Sequence, residues 1–244
     1  MKAHKKTDEM KNKEKFKNES QILNKTQRLY AAQIKQLYEH ATIGLIATLV
    51  NSFVLSFILW KVIRHSVVSI WFTAIIAVSF LRYLVFLKFR RSSRTSAGIV
   101  RRDIWFNVGT ILSGILWGTV AVFLFPTDSV AHQVFVAFVL GGMVAGAAGT
   151  YSVIMRTFIG YSLPALLPVI IRFFVIGDEI RYAMGGMTLL FGLLMFSTAK
   201  RLNIATVSSL ELQFENDDLV NHLAAEKDRI EQLNKSYLYE INER

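Results

Sequence analysis

The stretch IWFNVGTILSGILWGTVAVFLF, residues 104–125, decides the fold class, because it carries no charge over a length that can cross a lipid bilayer. A helix needs roughly 20 apolar residues to span the hydrocarbon core. Five further apolar stretches of comparable length lie at residues 41–60, 66–87, 129–155, 157–177 and 182–199. The sequence therefore predicts an all-α fold, a six-transmembrane helical bundle over residues 41–200 with flanking segments at 1–40 and 201–244.

Composition agrees with a membrane protein. Hydrophobic residues make up 52% of the 244 positions, and the mean hydropathy is +0.37, which is too apolar for an ordinary soluble domain. The chain has no cysteine, which excludes disulfides and thiolate metal sites. Its formal net charge of +10 is concentrated beside the apolar stretches. We therefore expect the lipid bilayer, and no nucleic acid, as a partner.

Lys and Arg positions predict the orientation, because short cytoplasmic loops retain positive charge. One side would carry the lysine-rich segment before the first stretch, the basic segment after the second, Arg156, and Lys200 with Arg201. The other side would carry far fewer basic residues, namely Lys61, Arg64 and Arg181. We therefore expect both termini on the cytoplasmic side.

The amino-terminal segment divides into two parts. Residues 1–18 lack apolar periodicity and are predicted to be disordered. Residues 20–40 are predicted to form an amphipathic helix, because their apolar residues Leu23, Tyr30, Ile34 and Leu37 fall on one helical face. A helix lying on anionic lipid and a coiled-coil partner for the carboxy-terminal helix both fit this pattern.

The carboxy-terminal segment, residues 201–244, predicts a coiled-coil linker helix. One row of residues recurs at alternating spacings of four and three: Leu212, Asn216, Leu219, Leu223, Glu226, Ile230, Leu233 and Tyr237. Such a narrow, mainly apolar stripe suits a parallel pair of helices better than a globular core. It predicts a homodimer joined through this helix, which would relay a movement from the membrane.

Small residues and prolines mark the middle of the apolar stretches. Gly114 and Gly118 are four apart, as are Gly142 and Gly146, and this spacing lets helix backbones approach closely. We expect helix packing there in preference to a ligand site. Pro164 and Pro168 interrupt the fifth stretch, where either a hinge or a simple packing irregularity is consistent with them.

Two arginines, Arg82 and Arg172, lie inside apolar stretches near their ends. Intramembrane charges mark function only when they cannot reach the interface, and we expect these two to extend towards it. Residues at the less basic side offer a second candidate, a proton or metal sensor. They are His65, Asp128, His132, Asp178 and Glu179.

Enzyme signatures are missing from the sequence, including the nucleophile elbow, the phosphate loop, the HExxH zinc motif and the dinucleotide-binding glycine pattern. We expect no catalytic residue, no cofactor and no metal. A small transporter or channel, with the fifth-stretch prolines and Arg82 lining a path, and a membrane scaffold remain as alternatives.

Between residues 30 and 244, a set of residues follows one another in an order and spacing that can be compared with known families. They are Asn51, Trp60, Trp71, Arg82, Trp117, Gly118, Phe125, Pro126, His132, Gln133, Gly141, Gly142, Gly146, Pro164, Pro168, Gly177, Asp178, Phe214, Glu215, Asn216, Leu219 and Val220. In this order and spacing the chain resembles the amino-terminal six-helix sensor module of bacterial membrane-bound histidine kinases and GGDEF-type diguanylate cyclases.

This resemblance implies signal input at a bacterial inner membrane, for two-component or cyclic-di-GMP signalling. The motifs of a kinase or cyclase do not occur in residues 1–244, which fits either a piece of a longer protein with such a downstream domain or a free-standing module. Candidate sensing or packing positions are Arg82, Trp117, Gly118, His132, Gly142, Gly146, Pro164, Pro168 and Arg172.

Overall fold

The computed structural model describes residues 2–90 and 96–242, with side-chain surroundings for 26–40, 42–88, 103–236, 238, 239 and 241. These residues form seven helices and no strand: α1 (Lys2–Leu59), α2 (His65–Arg90), α3 (Ser96–Gly118), α4 (Val120–Phe123), α5 (Val130–Tyr151), α6 (Met155–Ile176) and α7 (Glu179–Asn242). Six segments are long and apolar enough to cross a membrane: Thr26–Leu59, His65–Lys88, Asp103–Phe123, Val130–Tyr151, Met155–Ile176 and Glu179–Ser236. The all-α class and the six apolar helices are confirmed.

In the structure α1 starts at Lys2. The disorder expected for residues 1–18 stays a prediction. Further along, Ile34 and Leu37 are 2% and 1% exposed and belong to the main hydrophobic core. The apolar face of residues 20–40 therefore packs, at these two positions, on the bundle itself.

The third apolar stretch is interrupted, because α3 ends at Gly118 and α4 starts at Val120. At this break the Leu116 carbonyl accepts hydrogen bonds from Trp71 Nε1 at 2.9 Å and from Thr119 Oγ1 at 2.6 Å. A side chain that bonds a nearby carbonyl competes with the regular helical pattern. These two donors explain why one uninterrupted helix over 104–125 is not formed.

Helices α3 and α6 cross with their backbones in contact. A Cβ atom on Gly118 would lie 2.0 Å from the carbonyl oxygen of Pro164, and one on Gly114 would lie 2.4 Å from that of Tyr161. No side chain fits at such distances, so only glycine permits this crossing. The close backbone approach expected from the Gly114–Gly118 spacing is confirmed.

Helix α5 uses its glycines differently. It buries one face against the bundle through Val136, Leu140 and Val144. A Cβ atom at Gly142 or Gly146 would meet no described atom within 4 Å. These two glycines therefore do not mediate a helix contact within the described part of the chain.

The chain divides into two compact units, Met1–Ile204 and Ala205–Arg244. The second unit, as far as residue 242, consists of the carboxy-terminal part of α7. Its apolar row is exposed: Leu212 is 65% exposed, Leu219 58%, and Leu233 49%. Leu223 and Ile230 are equally open, so this row has no hydrophobic covering within the described residues.

We expect Gly118→Ala to lower the free energy of unfolding by about 2 kcal/mol, because overpacking a tight contact costs about 1–3 kcal/mol. Thermal unfolding of the purified chain in detergent measures the change. Gly142→Ala is the matched control, since its new methyl group enters open space and, inside a helix, should leave stability unchanged or raise it by up to about 1 kcal/mol. Equal unfolding temperatures for the two variants would show that the α3–α6 contact does not limit stability.

Candidate functional site

The most unusual group inside the apolar bundle is the guanidinium of Arg82 on α2. Its Nη1 donates to Ser113 Oγ at 3.0 Å, and its Nη2 donates to Tyr151 Oη at 3.0 Å and to Thr110 Oγ1 at 3.3 Å. Thr110 and Ser113 belong to α3 and Tyr151 ends α5. One cationic side chain therefore connects three helices.

Aromatic rings and a glycine complete the surroundings of Arg82. Its Cζ atom lies 5.9 Å from the ring centroid of Phe106 and 5.9 Å from that of Tyr151, within the range of cation–π attraction. A Cβ atom on Gly109 would lie 3.0 Å from Arg82 Cγ. The absence of a side chain at Gly109 thus makes room for the arginine stem beside α3.

The charge of Arg82 has no acidic partner among the described residues, whose ion pairs involve other side chains. Its hydrogen bonds go to neutral hydroxyl groups. Hydroxyl oxygens satisfy donors but do not neutralise a charge, and charges inside a membrane bundle are costly unless paired. These contacts hold the guanidinium against α3 and α5. The expectation that Arg82 and Arg172 extend towards the membrane interface stays a prediction.

A cavity of about 70 Å³ lies beside Arg82. Arg82 is the only charged residue in its lining, and the other lining residues are Tyr38, Leu45, Val78, Leu81, Val85, Phe86, Trp105, Phe106, Val108, Gly109 and Leu112. The cavity is thus an apolar space between α1, α2 and α3 with one cationic group. The guanidinium itself is held by Ser113, Thr110 and Tyr151, which are not among the lining residues, so a ligand in this cavity would compete with them for Arg82.

Tyr151 also connects the Arg82 site to a second cavity, of about 100 Å³, between α1, α5 and α6. Gly142, Gly146 and Tyr161 line it as well. The rings of Tyr151 and Tyr161 meet edge to face with centroids 5.5 Å apart. Tyr161 Oη is buried and has no hydrogen-bond partner in the described structure. Two of the predicted glycines, Gly142 and Gly146, therefore line a space next to the Arg82 site.

A polar network fixes the end of the bundle at which α3 and α6 begin. The buried carboxylate of Asp103 pairs with Arg156, whose guanidinium also donates to Tyr30 Oη. Asn107 Nδ2 donates to Asp103 Oδ1 at 2.8 Å, and Thr157 Oγ1 donates to Asn107 Oδ1 at 2.7 Å. Side chains from α1, α3 and α6 are thereby joined at this end.

The turn between α5 and α6 is held from two sides at the same end. Asn203 Nδ2 on α7 donates to the carbonyls of Ser152 at 2.8 Å and Val153 at 2.9 Å. Gln33 Nε2 on α1 donates to the Val153 carbonyl at 3.0 Å. Ser152 directly follows Tyr151, so the turn that α7 contacts begins next to the residue whose hydroxyl group accepts a hydrogen bond from Arg82.

At the opposite end of the bundle, Arg181 and Gln133 form a second network. Arg181 Nε donates to Gln133 Oε1 at 2.9 Å, and Gln133 Nε2 donates to the Pro126 carbonyl at 2.8 Å. His132 shares a 2.7 Å hydrogen bond with Ser129. No group of three or more His, Cys, Asp or Glu side chains comes together in the described part of the chain, so the metal-sensor hypothesis finds no ligand set there.

Three of the predicted positions, Gly118, Pro164 and Pro168, meet at the α3–α6 crossing. A Cβ on Gly118 would be 2.0 Å from the Pro164 carbonyl oxygen and 3.1 Å from Pro168 Cγ. Trp117 is fully buried and packs edge to face on Trp71 at 5.5 Å. Arg172 lies elsewhere on α6, with its Cζ 5.6 Å from the Phe125 ring. The crossing is thus a packing site, and its Tyr161 meets Tyr151, which accepts a hydrogen bond from Arg82.

Sequence reasoning missed the hydroxyl groups that bind Arg82. Thr110 and Ser113 are three residues apart, which places them on one helical face of α3, and Tyr151 ends α5. Small hydroxyl residues are common in membrane helices, where they usually bond their own backbone. Pairing them with Arg82 required knowledge of which helices are neighbours.

Comparison with models of known protein families, with curated proteins and with solved structures finds no match for this chain.

We expect Asp103→Ala to lower the free energy of unfolding by about 2 kcal/mol, because Arg156 and Asn107 lose a charged acceptor. Thermal unfolding in detergent is the measurement. Lys35→Ala is the control, since it removes the exposed Lys35–Glu39 pair at 3.7 Å, and exposed pairs contribute less than about 1 kcal/mol. Equal effects would rule out a special structural role for the Asp103 network.

Proposed function

We propose that this chain is the membrane-embedded signal-input module of a bacterial sensor, in which two copies join through the carboxy-terminal part of α7. The observation that carries the proposal is the exposed apolar row on that helix. The module performs no chemistry itself. A change in helix packing within the bundle passes through α7 to a kinase or diguanylate cyclase output.

The spacing of the exposed row supports a second copy of the same helix as its partner. Leu219 and Leu233 occupy the d position of the heptad, and Leu223 and Ile230 occupy the a position. Asn216 also falls at an a position, where a polar residue fixes register and favours two strands at some cost in stability. A parallel pair would bury the apolar side chains that one copy leaves exposed.

The hydrogen bonds at the α5–α6 turn support a route from the bundle to α7. Arg82 binds Tyr151, Tyr151 is followed by Ser152 and Val153, and their carbonyls accept from Asn203 on α7. Asn203 belongs to the first compact unit, just before the second unit starts at Ala205. A signal that changes the partners of Arg82 can therefore alter the contact that anchors α7. Biasing a two-state module strongly needs several kcal/mol of preference for one state.

The distribution of Lys and Arg supports an orientation with both termini in the cytoplasm, and the resemblance to bacterial sensor modules supports the inner membrane. In that orientation, the Asp103 network and the α5–α6 turn lie on the cytoplasmic side and the Gln133 network lies on the outer side. The transporter alternative needed Pro164 and Pro168 to line a path with Arg82. Both prolines instead lie against Gly118.

Disulfide crosslinking of single cysteines tests the dimer. The chain has no native cysteine, so each variant carries one reactive thiol. We expect Leu212→Cys, Leu219→Cys and Leu233→Cys to form interchain disulfides in membranes, because d-position side chains face each other in a parallel pair.

Matched controls lie on the opposite face of the same helix. We expect Asn221→Cys, Asp228→Cys and Lys235→Cys to crosslink at least about fivefold less, since these positions point away from the seam. Crosslinking without this periodicity, or none at any position, would rule out the dimeric relay.

A further inference from the structure

The cavity beside Arg82 suggests what kind of molecule the bundle binds. Its rim opens on the membrane-facing surface, since Leu81, Trp105 and Val108 are 55%, 49% and 52% exposed. Its walls are formed by apolar and aromatic side chains from three helices. A molecule that enters from the bilayer is therefore apolar over most of its length.

The positive charge of Arg82 in the cavity lining indicates what polar group the bound molecule carries at one end. Arg82 carries one positive charge, and no described carboxylate pairs with it. Its three hydroxyl partners are neutral acceptors. A guanidinium in a low-dielectric setting is stabilised most by an anion that accepts charge-assisted hydrogen bonds. One acidic group is therefore the complementary headgroup.

The depth and size of the cavity favour a small headgroup. Arg82 lies six residues before Lys88, where the apolar segment of α2 ends, so its Cα is about 9 Å along the helix from that end. A phospholipid phosphate would have to leave the interface and carry its glycerol and second chain with it. A cavity of about 70 Å³ has room for a carboxylate and the first part of one chain.

We propose that the cavity between α1, α2 and α3 binds a long-chain fatty acid, with its carboxylate on Arg82 and its chain along the apolar wall. The carboxylate competes with the hydroxyl groups of Ser113, Thr110 and Tyr151 for the guanidinium hydrogen bonds. Binding itself depends only on this geometry. Its role as the signal rests on the proposed function, through the link from Tyr151 to α7.

Photolabelling tests the binding. The full chain in lipid nanodiscs is irradiated with diazirine palmitic acid, and the labelled peptides are identified by mass spectrometry. We expect labelling within residues 78–86 and 105–112, with competition by oleate and none by methyl oleate. Arg82→Gln should reduce labelling at least about tenfold, since a charge-assisted hydrogen bond contributes enough free energy for such a change.

Two further variants keep the test decisive. Arg172→Gln removes another intramembrane arginine that is not part of the cavity lining and should leave labelling unchanged. Val85→Trp keeps Arg82 but fills the cavity, and it should also abolish labelling. This variant therefore tests binding at the cavity even if Arg82→Gln does not fold.

Several outcomes would overturn the proposal. Equal labelling by diazirine palmitic acid and its methyl ester would show that the carboxylate is not recognised. Unchanged labelling in both Arg82→Gln and Val85→Trp would exclude the cavity. Labelling of the same peptides only by a diazirine phosphatidylglycerol would identify a phospholipid as the occupant instead. None of these results affects the dimer, which the crosslinking experiment measures separately.

Discussion

The contact between the backbones of α3 and α6 is the constraint on which the rest of the bundle depends. Gly114 and Gly118 let α3 lie directly against the carbonyls of Tyr161 and Pro164. Without a strong hydrophobic force between helices in lipid, close packing and polar contacts hold a bundle together. This crossing fixes α3, and α3 in turn presents Thr110 and Ser113 to Arg82.

The polar groups of the bundle differ in how many hydrogen bonds and opposite charges they meet. Asp103 is paired with Arg156 and also accepts from Asn107, and Gln133 is bound on both sides of its amide. Arg82 has only neutral partners, and Tyr161 Oη has none among the described residues. Ion pairs and hydrogen bonds therefore stabilise both ends of the bundle, whereas the charge of Arg82 meets only neutral partners among the described residues. Incomplete polar groups inside a membrane are where a ligand or a change of state has most effect.

The sequence predicted the membrane-spanning helices well, but it did not predict which helices pack against each other. Apolar length identified the six helices of spanning length, and the Gly114–Gly118 spacing predicted a close crossing. It did not identify α6 as the partner, since small-residue spacing carries no information about the facing helix. The break at Thr119 was also missed, because it depends on Trp71, a residue 48 positions away in sequence, donating to the Leu116 carbonyl.

The candidate site shows the same division. Arg82 was identified because a charge in an apolar stretch is rare, but its hydroxyl partners were not, because Thr, Ser and Tyr are ordinary in membrane helices. Gly142 and Gly146 were predicted as packing positions, yet they line open space.

The central claim is that the state of the Arg82 site reaches the carboxy-terminal helix through Tyr151 and Asn203. Double electron–electron resonance between spin labels at Leu219→Cys on two copies in nanodiscs tests it most directly. Paired helix axes lie about 8–10 Å apart, so the labels should give an interchain distance below roughly 20 Å. We expect Arg82→Gln to shift that distribution or its populations. No interchain distance, or identical distributions with and without Arg82, would contradict the account.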